Sequence, residues 1–206
     1  MEKIKKILLV DQDDVLADFM GAFWIALKKN PAIKFPQSQY KFFENLEPIK
    51  DAIESINILK NYYDVLILTR PSVHNPLCYT EKRVWIENHL GFDMCKNLML
   101  VYDKTMIKGD GINKIYLIDD VIHSGRNNPE WEHIHFGSEK FKDWKVVTDY
   151  LLKELKIHNH KTVEDFALEY VSKNYYPINS IDELKGEMLS VYNAIIYSKR
   201  IVKATE

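Results

Sequence analysis

The sequence predicts a doubly wound α/β domain, and two features of the chain support that prediction. Short, almost wholly apolar runs recur at residues 7–10, 65–68, 98–101 and 115–118. Such runs are typical of strands buried on both faces of a parallel sheet. Segments with apolar residues at helical spacing occupy 49–61, 80–90 and 144–155, and Gly91 stands where a C-terminal helix cap is expected. This alternation of strands and helices indicates a Rossmann-like parallel sheet flanked by helices.

Two regions stand apart from the alternating pattern. Residues 19–48 are rich in aromatic side chains and separate the first strand from the helix before the second, so we expect a small helical cap there. Residues 157–206 contain two capping-box patterns, beginning at Thr162 and Ser180, and predict a helical C-terminal extension. The expected organisation is therefore a main domain over 1–156, with its cap at about 19–48, followed by the extension.

Composition and charge narrow the possible partners. The chain has 206 residues and a net charge of −2, which gives no general attraction to nucleic acid or to an anionic membrane. Its two cysteines, Cys78 and Cys95, are too few for a disulfide scaffold and are expected to be reduced thiols of a cytoplasmic protein. The apolar run at 7–10 is shorter than the roughly 7–15 residues of a signal-peptide core, and far shorter than a membrane span.

Polar side chains gather where the predicted strands end. Asp11 and Asp13 follow the first strand, Thr69 and Arg70 end the second, and Asp119 with Asp120 ends the fourth. Ligands of open α/β sheets bind beyond the carboxyl ends of the strands, so these groups are expected to share one crevice. Carboxylates held close together need a cation, a shared proton or a hydrogen-bond network. The loop before the fourth strand offers a basic residue, Lys104 or Lys108, to balance them.

Several of these segments resemble a known enzyme family. In chain order, DQDDVLADF, ILTRPS, YDKT and YLIDD resemble the four motifs of the haloacid dehalogenase (HAD) superfamily of phosphatases. The longer segments ENLEPIKDAIESI, ILTRPSVHNPLCYTEKRVWIENHLG and WEHIHFGSEKFKDW resemble the 5′(3′)-deoxyribonucleotidases, the C-type 5′-nucleotidases. The resemblance covers about residues 5–155. It implies a HAD-like fold, a Mg²⁺ cofactor, a small-molecule nucleotide substrate hydrolysed at its phosphate ester, and a possible homodimer.

The resemblance also implies roles for individual residues. Asp11 would be the nucleophile that forms an aspartyl-phosphate, and Asp13 the general acid and base. Thr69 and Lys104 would hold the phosphoryl oxygens, with Lys104 favoured over Lys108 because DKT matches the local pattern of the family. The expected Mg²⁺ ligands are Asp11, the main-chain carbonyl of Asp13, Asp119 and, through water or by orienting its neighbours, Asp120.

Two residues depart from the family pattern. Asp14 occupies a position where the family has glycine, and Asp is among the residues that best tolerate the left-handed backbone region. Arg70 replaces a small residue beside the phosphate and would either contact the phosphate or turn outward. Asp18 is expected to face away from the site or to cap the next helix.

The aromatic cap bears on the choice of substrate. Phe19 is the best candidate to stack on a nucleobase, whereas Phe23, Trp24, Phe42 and Phe43 are expected to form the cap's own core. His133 and His135 are interpreted as structural because no third metal ligand is evident. Three alternatives to a nucleotidase remain open: a phosphatase of another small metabolite, a non-catalytic nucleotide- or phosphate-binding module, and a DNA-end phosphatase.

Overall fold

The fold is described from a computed structural model, which covers residues 6–108, 114–122 and 131–155. All of these residues belong to one compact unit, Met1–Lys156. The predicted helical extension at 157–206 lies outside the described residues. Within them, no helix has both the length and the apolar character that crossing a membrane requires.

A five-stranded parallel sheet forms the centre of the domain. Its strands are β1 (Lys6–Val10), β2 (Tyr63–Thr69), β3 (Leu98–Leu100), β4 (Ile115–Asp119) and β5 (Trp131–His135), arranged in the order β3-β2-β1-β4-β5. All four neighbouring pairs are parallel. The central strand β1 therefore lies between β2 and β4, and the carboxyl ends of these three strands meet at one edge.

In the part of the chain that the structure describes, four α-helices accompany the sheet: α1 (Phe19–Lys29), α2 (Ala52–Leu59), α3 (Cys78–Leu90) and α4 (Trp144–Glu154). Short 3₁₀ helices occupy Pro36–Ser38, Phe92–Asn97 and Lys104–Met106. Two buried tryptophans join helices to the loops at the carboxyl edge. Trp144 donates its indole N–H to the carbonyl of Val15 at 2.7 Å, and Trp85 donates to that of Leu46 at 2.7 Å. These bonds fix the loop after β1 and the end of the cap.

The predicted α/β fold class is confirmed, and the four predicted strands are β1 to β4. The fifth strand was not among the predicted apolar runs, because only Trp131 and Ile134 of its five residues are apolar, and only these two are buried. The helix predicted over 49–61 is shorter, since α2 begins at Ala52 and ends at Leu59. Cys78 and Cys95 are free, as expected.

The turn after β1 adopts the backbone expected from its sequence. Asp14 has a φ of 53°, so it occupies the left-handed region that its position requires. Its carboxylate accepts the N–H of Met20 at 2.8 Å. Asp18 caps α1 by accepting the N–H of Gly21 at 2.9 Å, which confirms its capping role. The chain thus turns sharply from β1 into the cap.

Candidate active site

Three carboxylates come together where β1 and β4 end. Asp11 follows β1 and donates its main-chain N–H to Ile118 of β4 at 2.9 Å, which places it beside Asp119. Asp119 ends β4 and Asp120 follows it. One carboxylate oxygen from each of Asp11, Asp119 and Asp120 lies within 4.8 Å of the others. The parallel register therefore converts two separate sequence motifs into one acidic cluster.

Lys104 bridges this cluster. It belongs to the 3₁₀ helix Lys104–Met106, which Asp103 caps by accepting the N–H of Thr105. Its ammonium lies 2.7 Å from Oδ2 of Asp11 and 2.7 Å from Oδ2 of Asp119, and the residue is buried. Lys108 is exposed. Of the two lysines that the sequence offered, the structure brings Lys104 to the carboxylates.

The pKa values of the cluster reflect burial first and crowded negative charge second. Burial raises the pKa of Asp11, and the nearby Asp119 and Asp13 add to the effect against the opposing charge of Lys104. Burial also raises the pKa of Asp120, to about 7, with Asp11 and Asp119 contributing. Burial disfavours the charged form of Lys104, but Asp11 and Asp119 outweigh it and raise its pKa. The lysine thus stays charged, while Asp11 and Asp120 resist ionisation.

The composition of the cluster fits a divalent cation. Three carboxylates against the single ammonium of Lys104 leave two negative charges when all are ionised. Hard cations such as Mg²⁺ and Ca²⁺ prefer carboxylate oxygens as ligands. A cation bound beside these oxygens would also favour the ionised form of Asp120, whose pKa burial raises to about 7. The side chain of Asp13 is not a member of this group, and its expected contribution was a main-chain carbonyl.

The carboxylate of Asp13 lies instead against a second lysine that sequence reasoning missed. Lys82 of α3 is fully buried, and its ammonium lies 2.7 Å from Oδ2 of Asp13 and 2.7 Å from Oγ1 of Thr69. The sequence did carry a signal for it. Lys82 falls on the same helical face as the buried Cys78 and Trp85, and a charged residue on an apolar face is rarely buried without a partner.

The aromatic residues of the cap form a cluster next to this second lysine. The ring of Phe19 is half-buried and lies nearly parallel to that of Phe43, with centroids 5.9 Å apart. It also contacts the rings of Phe23 and Phe42. Phe42 and Phe43 are buried, as expected for cap core. The expectation for Trp24 was wrong: it is 59% exposed, because it follows Phe23 by one position and lies about 100° around the helix from it.

Arg70 turns outward. It follows β2 directly, is exposed, and its guanidinium lies over the ring of Tyr102 at 5.4 Å. Thr69, the last residue of β2, is fully buried with its hydroxyl facing Lys82. Among the described residues, His133 and His135 of β5 are not part of the group of possible metal ligands that Asp11, Asp119 and Asp120 form. Within the described residues, Nε2 of His135 instead lies 2.9 Å from the main-chain oxygen of Asp120.

A parallel α/β sheet with carboxylates at the ends of two adjacent central strands and a lysine between them is consistent with a HAD-like domain. Comparison with known proteins gives the family. Residues 28–154 match the model of the family described as "5′ nucleotidase, deoxy (Pyrimidine), cytosolic type C protein". The chain therefore belongs to this family, which is part of the HAD superfamily and consists of phosphoric monoester hydrolases.

Curated relatives agree with this assignment. A protein of Vibrio phage KVP40 named "Putative 5′(3′)-deoxyribonucleotidase" is 32% identical over 160 residues, covering 74% of this chain and 88% of the relative. The mouse "5′(3′)-deoxyribonucleotidase, mitochondrial" is 33% identical over 165 residues, covering 64% and 72% respectively. The human "5′(3′)-deoxyribonucleotidase, cytosolic type" is 31% identical over 162 residues, covering 63% and 78%. The resemblance read from the motifs is thereby confirmed.

Proposed function

We propose that the protein is a Mg²⁺-dependent phosphatase that hydrolyses deoxyribonucleoside 5′-monophosphates through an aspartyl-phosphate. The observation that carries the proposal is the grouping of Asp11, Asp119 and Asp120 around Lys104, with Asp13 two residues from Asp11. This grouping would supply a nucleophile, a cation site and, two residues along the chain, a separate acid. The names of the curated relatives support the nucleotide substrate.

The first chemical step would use Asp11 and Asp13. A carboxylate oxygen of Asp11 attacks phosphorus, the bond between phosphorus and the 5′ oxygen breaks, and Asp13 donates a proton to that oxygen as the nucleoside leaves. Asp13 then takes a proton from the water that attacks the aspartyl-phosphate. Inorganic phosphate leaves, and Asp11 and Asp13 return to their starting states.

The remaining groups would stabilise negative charge. Lys104 and the hydroxyl of Thr69 would contact phosphoryl oxygens, with Lys104 already positioned at the attacking carboxylate. Mg²⁺, when bound by Asp11, the carbonyl of Asp13, Asp119 and Asp120, would neutralise charge on the phosphoryl group. Arg70 turns outward over Tyr102, so it is given no role in holding the phosphoryl group. Preorganised positive charge in a buried site is usually the largest single contribution to catalysis.

The cap would supply recognition of the base. Phe19 is half-buried within a cluster of rings, so one part of its surface is packed while another is open to contact. Stacking of a base on an aromatic ring is tolerant of sequence and contributes about 1–3 kcal/mol.

The free state of Cys78 and Cys95 is consistent with the proposed cytoplasmic location, where thiols stay reduced.

A phosphate-release screen tests the proposal. Deoxyribo- and ribonucleoside monophosphates, with the phosphate at 5′ or 3′, are compared with sugar phosphates in Mg²⁺ and in EDTA, using Asp11→Asn as the inactive control. We expect Mg²⁺-dependent release that is fastest from deoxyribonucleoside 5′-monophosphates. Faster release from sugar phosphates would make the protein a phosphatase of other metabolites. Mg²⁺-dependent binding of nucleotide without any release would make it a binding module.

A further inference from the structure

Helix α3 carries two adjacent charged residues in the protein interior. Glu81 is 3% exposed and Lys82 is fully buried. A buried charge costs several kcal/mol unless it is paired and hydrogen-bonded. Neither residue pairs with the other, and each reaches a different part of the molecule. Both are therefore held in place by specific contacts, which identify what each one supports.

Lys82 contacts three segments that are far apart in the chain. Its ammonium donates to Oδ2 of Asp13 in the loop after β1 and to Oγ1 of Thr69 at the end of β2, both at 2.7 Å. It also lies 5.2 Å from the ring centre of Phe43 in the cap, within the range of a cation–π contact. Lys104, in contrast, pairs with Asp11 and Asp119. The two lysines thus serve different carboxylates.

We propose that Lys82 is the positioning residue for Asp13, fixing its carboxylate for proton exchange with the leaving oxygen. This inference rests on the proposed function. Oδ2 of Asp13 is held by the buried ammonium, while Oδ1 has no hydrogen-bond partner among the described residues. Oδ1 is itself enclosed by the protein, so the ammonium on Oδ2 is the contact that sets the orientation of the carboxylate. Correct placement matters because a small displacement of a reacting group can cost about a hundredfold in rate.

Glu81 holds the neighbouring part of the cap and provides a matched control. Its carboxylate accepts the main-chain N–H groups of Lys41 at 2.8 Å and Phe43 at 3.0 Å, and the side-chain amide of Asn75 at 3.1 Å. It thereby fixes Phe43, whose ring lies over the ammonium of Lys82. Glu81 lies on the same helix as Lys82 and is almost as deeply buried. Its hydrogen bonds nevertheless go to the cap and not to Asp13.

The test compares two substrates that differ in their need for an acid. A nucleoside 5′-alkoxide leaves only when it is protonated, whereas p-nitrophenolate is a good leaving group and departs without a proton. We expect Lys82→Met to lower kcat/KM for a deoxyribonucleoside 5′-monophosphate by about 10²–10⁴-fold, the usual contribution of a general acid. The loss for p-nitrophenyl phosphate should be at least about tenfold smaller. Asp13→Asn should show the same selectivity. Glu81→Gln, whose lost contacts are in the cap, should instead raise KM for the nucleotide and leave its kcat unchanged.

The deciding quantity is the ratio of kcat/KM for the deoxyribonucleoside 5′-monophosphate to kcat/KM for p-nitrophenyl phosphate. It is measured on one preparation, so it does not depend on the fraction of Lys82→Met that folds, and Lys82→Gln provides a second variant. Equal losses for both substrates, or no loss, would overturn the positioning role and leave the proposed function intact. Absence of phosphate release from both substrates by the unmodified protein would overturn the proposed function, and this inference with it.

Discussion

Replacing Lys104 by methionine should destabilise the metal-free protein strongly. The substitution keeps the length and volume of the side chain but removes the ammonium that lies 2.7 Å from both Asp11 and Asp119. Asp119 is fully buried and Asp11 nearly so, so water cannot replace the lost partner. Removing one member of a buried ion pair typically costs about 3–5 kcal/mol, because the other charge is left uncompensated.

The assay is thermal unfolding in EDTA at neutral pH. For a chain of this length, each kcal/mol lowers Tm by about 2–4 °C, so Lys104→Met should lower it by about 6–20 °C. Lys108→Met is the matched control: Lys108 is exposed, and its loss should change the free energy of unfolding by no more than about 0.5 kcal/mol. Phosphate release should also distinguish the two variants: Lys104→Met should be inactive and Lys108→Met active.

Addition of Mg²⁺ makes the prediction sharper. A cation that binds the folded protein raises Tm by mass action, and without the ammonium three carboxylates are left to attract it. The rise in Tm on adding Mg²⁺ should therefore be larger for Lys104→Met than for the unmodified protein. If Lys104→Met loses less than about 1 kcal/mol in EDTA, or if Lys108→Met loses as much, the role given to Lys104 is wrong.

Three other predictions concern the metal, pH and the cap. Asp119→Asn should raise the Mg²⁺ concentration needed for half-maximal activity. Loss of a residue that only supports a metal ligand costs about 10–100-fold in affinity, so the loss of a ligand should cost at least as much. An unchanged Mg²⁺ requirement would show that Asp119 is not a ligand. The pKa of Asp120 is raised to about 7 from 3.8, so the folded protein keeps a proton that the unfolded chain loses. Stability in EDTA should fall as pH rises from about 4 to about 7, and saturating Mg²⁺ or Asp120→Asn should weaken that fall in a series of Tm measurements. Phe19→Ala should raise KM for a nucleotide by about 5- to 150-fold without changing KM for p-nitrophenyl phosphate, while Trp24→Ala, exposed on the same helix, should leave both unchanged.

The residues at the strand ends show which parts of the site could be predicted from the sequence. Asp11 and Asp119 were predicted to meet because parallel neighbours end at one edge, and the observed order with β1 between β2 and β4 brings them together. The choice between Lys104 and Lys108 rested on a local pattern alone. Their burial separates them, since only Lys104 reaches the carboxylates from its 3₁₀ helix.

The misses have a common cause. Lys82 was not singled out because helical periodicity marks the apolar residues of α3, and a charged residue among them is assigned to solvent by default. Trp24 was expected in the cap core because its type is usually buried, yet α1 contains no buried residue. Strand β5 was overlooked because its polar residues interrupt the apolar run that marked the other four.

The sequence by itself determined the α/β class, the family and the acidic residues, because these follow from local patterns: apolar runs, helical spacing and motifs a few residues long. Tertiary structure alone decided which lysine serves which carboxylate, with Lys104 at Asp11 and Asp119 and Lys82 at Asp13. Those pairings join residues that are far apart in the chain. Lys104 is 15 positions from Asp119 and 93 positions from Asp11. They depend on which strands are neighbours and on which side chains lose access to water, and neither property is written in any short stretch of sequence.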